Sequence, residues 1–200
     1  MKPRSSALTS FENNSCMSKD LALFRSRLLQ NPKQVSAIAP SSRALARAMA
    51  QGLDQTTGRV VEFGPGTGRL TKAILDTGVL ASNLTMFELD AVFASHLRAA
   101  FPGTTLHLAG ADTAPDHVAP GVGAVVSGLP LLSMPDAIST AIVTAAFKIL
   151  AQGAPYIQFT YGSKPPIPPD TIAALGLTVE LGPKIWTNLP PARVYRFRQI

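Results

Sequence analysis

From Arg59 onward, short apolar runs alternate with stretches in which apolar residues recur every three or four positions. Short runs bounded by Gly or Pro read as buried strands, and the wider spacing reads as helices with one face on a core. The pattern predicts strands at 60–63, 84–88, 104–108, 122–127 and 155–161. Between them it predicts helices over 67–77, 90–100 and 135–151, the last with Ile138, Ile142, Ala145, Ala146 and Ile149 inward. Gly78 closes the first of these helices, as a glycine just past a helix commonly does, and Asp90 opens the second. Residues 112–120 read as a polar connection. A short helix at 170–175 precedes strands at 177–181 and 193–198, and the imperfect alternation of the last places it near a sheet edge. Ahead of all these, Ser41 or Ser42 caps a helix over 42–52 with Leu45, Ala48 and Met49 at core spacing. Strands alternating with helices, then two strands in succession, give an α/β three-layer sandwich around a mostly parallel sheet.

The leading residues follow a different pattern. Residues 1–18 are polar, rich in Ser and Asn, and read as a disordered arm. On a helix over 19–30, Leu21, Phe24 and Leu28 share one stripe, Lys19 and Arg27 lie opposite, and Arg25 flanks the stripe. Such a basic amphipathic helix suits a membrane interface. The same stripe would equally dock on the domain. The organisation read from sequence is therefore an arm at 1–18, a membrane-binding helix and linker at 19–40, and the α/β domain at 41–200.

Charge sharpens this picture. The chain carries 18 basic and 12 acidic residues, a net +6. Residues 1–50 hold eight of the basic residues and two of the acids, so the whole excess sits there and the body is neutral. A localised basic arm has a polyanion as its natural partner, nucleic acid or anionic lipid. The aromatic interleaving and zinc spacing of common nucleic-acid modules are missing.

With 46% apolar and 15% charged residues, the chain can build a core. Its single cysteine, Cys16, excludes an internal disulfide and favours a reducing compartment. No apolar run suits a signal peptide or a membrane span, so a cytoplasmic protein is expected. His96, His107 and His117 have no metal-ligand spacing and read as structural or surface residues, and no metal is expected.

The strongest local signal is Gly64-Pro65-Gly66-Thr67-Gly68, which follows a strand and precedes a helix. Glycines there let the backbone turn sharply and approach a ligand. No Gly-Lys-Ser/Thr follows, which excludes a P-loop, and the loop is shorter than the dinucleotide form G-x-G-x-x-G. Glu62 lies inside the motif, Glu88 ends the second strand, and Asp112 follows the third. A carboxylate at the position of Glu88 can accept both hydroxyls of a ribose.

The run Glu62-Phe63-Gly64-Pro65-Gly66-Thr67-Gly68 resembles the first motif of the class I S-adenosylmethionine-dependent methyltransferases. The resemblance implies a Rossmann-like seven-stranded methyltransferase sandwich whose last strand is antiparallel, here with an N-terminal helical extension, and S-adenosylmethionine as cofactor. It assigns Glu62 and the backbone of 64–68 to the methionine end, Glu88 to the ribose, Leu89 to adenine packing, and Ala111 with Asp112 to the adenine edge. A cofactor-binding protein without catalysis and a nicotinamide oxidoreductase fit less well. The first would not need all three acids, and the second would want the longer loop.

The loop after the fourth strand often carries the acceptor in this fold. Here it is Ser127-Gly128-Leu129-Pro130-Leu131-Leu132. Enzymes that methylate nucleic-acid amines place an Asn or Asp first and an aromatic last, for stacking the base. This chain has Ser127 and Leu131 there. It is more similar to the bacterial phospholipid N-methyltransferases, through residues 35–42, the glycine loop, Ser127-Gly128-Leu129-Pro130 and Asn188-Leu189-Pro190-Pro191-Ala192. That resemblance implies methylation of phosphatidylethanolamine and its mono- and dimethyl derivatives to phosphatidylcholine. The enzyme would be a monomer bound peripherally to the inner face of the bacterial membrane, on anionic phospholipid, without a nucleic-acid partner. The alternative is an rRNA-type adenine N-methyltransferase.

Candidate groups for the acceptor amine are Ser127, Gly128 and Tyr161; Ser127 also borders the cofactor. Tyr161 reads equally as a cap on the core. Arg43 and Lys164 are candidates for a lipid phosphate, or are solvated charges. Leu129 and Pro130 would line the substrate path or pack in the core.

Overall fold

The computed structural model describes residues 42–162 and 164–199. The arm at 1–18, the amphipathic stripe of Lys19, Leu21, Phe24, Arg25, Arg27 and Leu28, and the linker to 40 lie outside the described residues.

Helix α1 (Arg43–Ala50) starts where Ser42 Oγ accepts the Leu45 N–H at 3.1 Å, and it buries Leu45, Ala48 and Met49 as their spacing predicts. Then come β1 (Val60–Phe63), α2 (Arg69–Leu75), β2 (Leu84–Glu88), α3 (Ala91–Ala100), β3 (Thr105–Leu108), α4 (Ala114–His117) and β4 (Ala124–Ser127). The chain continues through α5 (Asp136–Ile149), β5 (Tyr156–Thr160), α6 (Pro169–Ala174), β6 (Leu177–Ile185) and β7 (Ala192–Gln199). Asp90 caps α3 by accepting the Val92 and Phe93 N–H groups. Helix α5 buries all five residues predicted to face inward.

The strands form one seven-stranded sheet in the order β3-β2-β1-β4-β5-β7-β6. The first five are parallel, and β7 runs antiparallel to both β5 and β6. On one face, Val60, Leu84, Met86, Ala124 and Val126 pack with Leu45 and Met49 of α1 and with Leu70 and Ile74 of α2. Every residue of β1 is buried, as expected for a parallel strand covered on both faces.

Three expectations are corrected. Strand β7 is interior, not near an edge: it sits between β5 and β6, with Val194, Tyr195 and Phe197 buried. Its irregular alternation reflects burial on both faces. The edge belongs to β6, which runs on to Ile185 through an irregularity between Leu181 and Lys184 that absorbs Gly182-Pro183. Residues 112–120 are not a plain connection, because a 3-10 turn (Ala111–Thr113) leads directly into α4. Val122 stands apart from β4 in an isolated parallel bridge to Leu150.

Among the described residues, no helix is long and apolar enough to cross a membrane.

Candidate active site

The sheet order reverses between β1 and β4, and parallel sheets open a crevice at the carboxyl ends of their strands at such a point. The loops after β1, β2, β3 and β4 all leave at that edge.

Gly64, Gly66 and Gly68 have positive φ of 67°, 53° and 78°, a backbone region that other residues enter only with strain. Their surroundings differ. A Cβ on Gly64 would sit 2.5 Å from Leu129 Cδ2, and one on Gly68 would run into the Phe101 ring. A Cβ on Gly66 would meet nothing within 4 Å. The outer two glycines are thus packed against the protein, while the middle one borders open space. Pro65 is buried and Thr67 is exposed.

Glu62 is fully buried in the central strand. Its Oε2 accepts the Thr71 hydroxyl at 2.7 Å, and its Oε1 has no partner among the described residues. Burial, reinforced by the nearby Glu88 charge and opposed by the Thr71 hydrogen bond, raises its pKa to about 8. A buried carboxyl oxygen without a donor is costly and calls for a cationic or N–H partner. Thr71, in the first turn of α2, is a partner of Glu62 that sequence reasoning missed.

Glu88 ends β2 half-buried. Its Oε2 accepts the Gly66 N–H at 3.0 Å, and its Oε1 accepts the Leu89 and Asp90 N–H groups at 2.8 and 3.0 Å. The carboxylate therefore ties the glycine loop to the β2 turn. A carboxylate offers about four lone-pair sites, so this bonding leaves capacity for a hydroxyl. Ala111 is buried and Asp112 half-buried in the turn after β3. Close by, His107 stacks on Phe87 at 5.0 Å, and the His107 and His117 rings lie 4.5 Å apart. This contact was not legible in the spacing of the histidines. Burial and then the neighbouring His117 lower the His107 pKa.

The acceptor loop is locked to the glycine loop. Gly128 N–H donates to Phe63 O at 2.8 Å, and a Cβ on Gly128 would stand 2.7 Å from Gly64 O. Ser127 is buried, and its Oγ accepts the Leu129 N–H at 3.3 Å. From β5, Gln158 Nε2 donates to Leu129 O at 2.8 Å while its Oε1 accepts the Tyr156 hydroxyl at 3.0 Å. Gln158 was also missed. The available signal was a polar residue inside the apolar run Tyr156-Ile157-Gln158-Phe159. Leu131 is buried and Leu132 is 58% exposed, so the apolar loop divides between core and solvent. Leu129 and Pro130 are half-buried.

Tyr161 follows β5 at the same edge. Its ring packs edge-on against Phe159 at 5.3 Å, so part of it does cap the core. Its hydroxyl is buried beside Asn188 and makes no hydrogen bond of good geometry among the described residues. Burial raises its pKa, and Asn188 offsets part of the rise. Arg43 and Lys164 are exposed. Among the described residues, no group of three or more His, Cys, Asp or Glu is arranged to hold a metal.

No family model matches the chain. It is 29% identical over 154 residues to an ornithine lipid N-methyltransferase of Singulisphaera acidiphila, covering 71% of this chain and 78% of that one. TrmN of Thermus thermophilus superposes with a TM-score of 0.61 at 17% identity over 79% of this chain. The chain spans about half the length of TrmN, 49%. The glycopeptide N-methyltransferase MtfA, solved with S-adenosylmethionine, gives 0.61 at 15% identity, covering 81% of this chain and 96% of MtfA. The 23S rRNA methyltransferase ErmE gives 0.55 at 19% identity, covering 80% of this chain and 68% of ErmE.

Proposed function

We propose that this chain, which has the class I methyltransferase fold, transfers methyl groups from S-adenosylmethionine to the headgroup amine of a membrane lipid. Phosphatidylethanolamine and its mono- and dimethyl derivatives are the substrates the sequence favours, with phosphatidylcholine as the product. The observation that carries the reading is the acceptor loop. Its Leu131 side chain turns into the core, so the loop offers backbone and aliphatic groups and no ring on which a base would stack. The similarity to a curated ornithine lipid N-methyltransferase adds support, since that protein's name also specifies a lipid and a nitrogen acceptor. Nucleic acid is not among the proposed partners.

The residues present fit the cofactor. The unpartnered Glu62 Oε1 suits an ammonium, and the open space at Gly66 admits a ligand against the backbone. Glu88 would hold the ribose, with Leu89, Ala111 and Asp112 around the adenine. When bound, S-adenosylmethionine supplies an electrophilic sulfonium methyl. The protein must hold a neutral amine in line, with reacting atoms about 3–3.5 Å apart. In this reading the Ser127 and Gly128 carbonyls accept amine N–H bonds, and the Tyr161 hydroxyl orients the amine from the β5 side. With its pKa raised, Tyr161 stays protonated at neutral pH and acts by hydrogen bonding, not as the base. Arg43 and Lys164 are the proposed phosphate contacts; both are exposed, which suits a headgroup that remains at the interface.

The deciding experiment offers tritiated S-adenosylmethionine with phosphatidylethanolamine, ornithine lipid and ribosomal RNA in parallel. Label in phosphatidylethanolamine is expected. Label confined to ornithine lipid would keep the lipid amine and replace the headgroup, and label confined to RNA would overturn the reading in favour of an adenine methyltransferase.

Replacing Glu88 by Ala should weaken S-adenosylmethionine binding by about 10- to 100-fold. It removes a charged acceptor, at roughly 1.5–3 kcal/mol per bond, and also unties Gly66. Titration calorimetry checks this, and an unchanged dissociation constant would reject the ribose role.

A further inference from the structure

Strand β6 runs parallel to β1–β5, so the hairpin joining it to β7 emerges at the carboxyl edge of the sheet, the edge that carries the site. At its tip, Trp186 is 71% exposed and Leu189 is 82% exposed. Lys184 lies two residues before Trp186 on the same face, with its ammonium 3.9 Å from the ring centroid. From Leu181 to the C-terminus the chain has Lys184, Arg193, Arg196 and Arg198 and no acid. Beneath the tip the hairpin is braced: Asn188 is buried, its Nδ2 donates to Pro190 O at 2.8 Å, and its Oδ1 accepts the Ser42 N–H at 2.8 Å.

Two large apolar side chains held in water on a braced hairpin need an explanation, because nothing else in the core depends on them. Trp is the side chain enriched at the headgroup level of bilayers, and basic neighbours add attraction to anionic lipid. Ser42, bonded to this hairpin, is the first described residue of the domain. The 41 residues that precede it in sequence contain six basic and two acidic residues, the same sign of excess as the hairpin. The patch extends toward the site as well. Arg193 pairs with Thr160 at the end of β5, and a Cβ on Gly162, just beyond, would lie 3.4 Å from exposed Leu132 of the acceptor loop.

We propose that the β6–β7 hairpin is a membrane-docking element that seats Trp186 and Leu189 in the headgroup boundary of an anionic bilayer, with Lys184 and Arg193 toward lipid phosphates, and so presents the acceptor loop to headgroups. The proposal rests on the lipid reading above and names the surface by which that site meets its substrate. An RNA would meet the patch differently, and its binding is an outcome of the test.

Trp186 is the only tryptophan in the chain, so its fluorescence reports this hairpin alone. The full chain is titrated with phosphatidylglycerol–phosphatidylethanolamine vesicles. The emission should shift to the blue and be quenched by brominated acyl chains, with much smaller changes on pure phosphatidylcholine. A Lys184→Glu, Leu189→Ser double variant retains the reporter and should bind at least about ten-fold more weakly, because interfacial affinity follows buried apolar area and charge. An unchanged melting temperature would show that it folds. Emission that stays at the water position while the chain co-sediments with vesicles would overturn the proposal, as would a shift produced by ribosomal RNA and not by vesicles. Methyl transfer to lipid dispersed in detergent micelles separates the two readings. Transfer there with a Trp186 that never leaves water rejects the docking alone. A Trp186 that enters the bilayer of a chain that methylates no lipid rejects the lipid-methylation reading alone.

Discussion

Gly128→Ala is expected to lower kcat by about 100-fold while changing S-adenosylmethionine affinity much less. The cause is space and not backbone conformation, since Gly128 is absent from the residues with positive φ. The added Cβ would stand 2.7 Å from Gly64 O, a main-chain atom with little freedom to move. Gly64 is held by its own N–H on Phe87 O at 3.0 Å, and Gly128 by its N–H on Phe63 O at 2.8 Å. The contact is relieved by moving the acceptor loop away from the cofactor loop. A displacement of about 1 Å at a site that works by positioning costs on the order of 100-fold in rate. The cofactor loop keeps its bond to Glu88, so binding is spared. Single-turnover methyl transfer beside calorimetric titration of the cofactor would separate the two effects. A variant with normal kcat would show that the interlock does not set the distance between donor and acceptor.

That interlock marks the limit of what the sequence revealed. The helix cap at Ser42, the Asp90 cap and the inward faces of α1 and α5 were legible because each depends on residues within a turn or two of one another. The glycine loop was legible for the same reason. Gly64 and Gly68 announce a special backbone, although no local pattern tells that Leu129 and Phe101 fill the space beside them. Pairing of distant strands leaves a weaker trace. Strand β7 carries Arg193, Arg196 and Arg198 between buried apolar residues, which resembles an edge strand until β6 is found beyond it, with Arg196 donating to Gln51 O at 2.9 Å.

The site divides in the same way. Glu62, Glu88 and Ser127 were singled out from their place in β1 and at the ends of β2 and β4. The contacts that hold them were not: Thr71 on Glu62, the Gly66 N–H on Glu88, and Gln158 on Leu129 O beside Ser127 each come from another element. Gln158 shows how much the omission matters. A buried amide that spends both ends on Tyr156 and Leu129 O fixes where the acceptor loop stands.

Glu62→Gln should stabilise the cofactor-free protein at pH 8 and, in the same molecule, weaken S-adenosylmethionine binding by about 100-fold or more. The folded carboxyl has a pKa of about 8 against an ordinary value of 4.5. Between those values the folded state keeps a proton that the unfolded chain has released. Stability from this group is therefore fully present below 4.5 and falls as pH rises toward 8. The slope is at most about 1.4 kcal/mol per pH unit. Gln preserves the size of the side chain and an oxygen for the Thr71 hydroxyl, and it removes the titration. Wild-type melting temperature should therefore drop between pH 5 and 8, and the difference between wild type and variant isolates Glu62 from other titrating groups. The same proton opposes binding. An ammonium at Oε1 requires the carboxylate, so wild-type affinity should rise by up to about ten-fold per pH unit toward pH 8. Binding at pH 7 should release a proton, seen as a calorimetric enthalpy that depends on the ionisation enthalpy of the buffer. The variant should show neither effect. Tight, pH-independent binding by Glu62→Gln would mean that the buried oxygen without a partner serves the fold and not the cofactor.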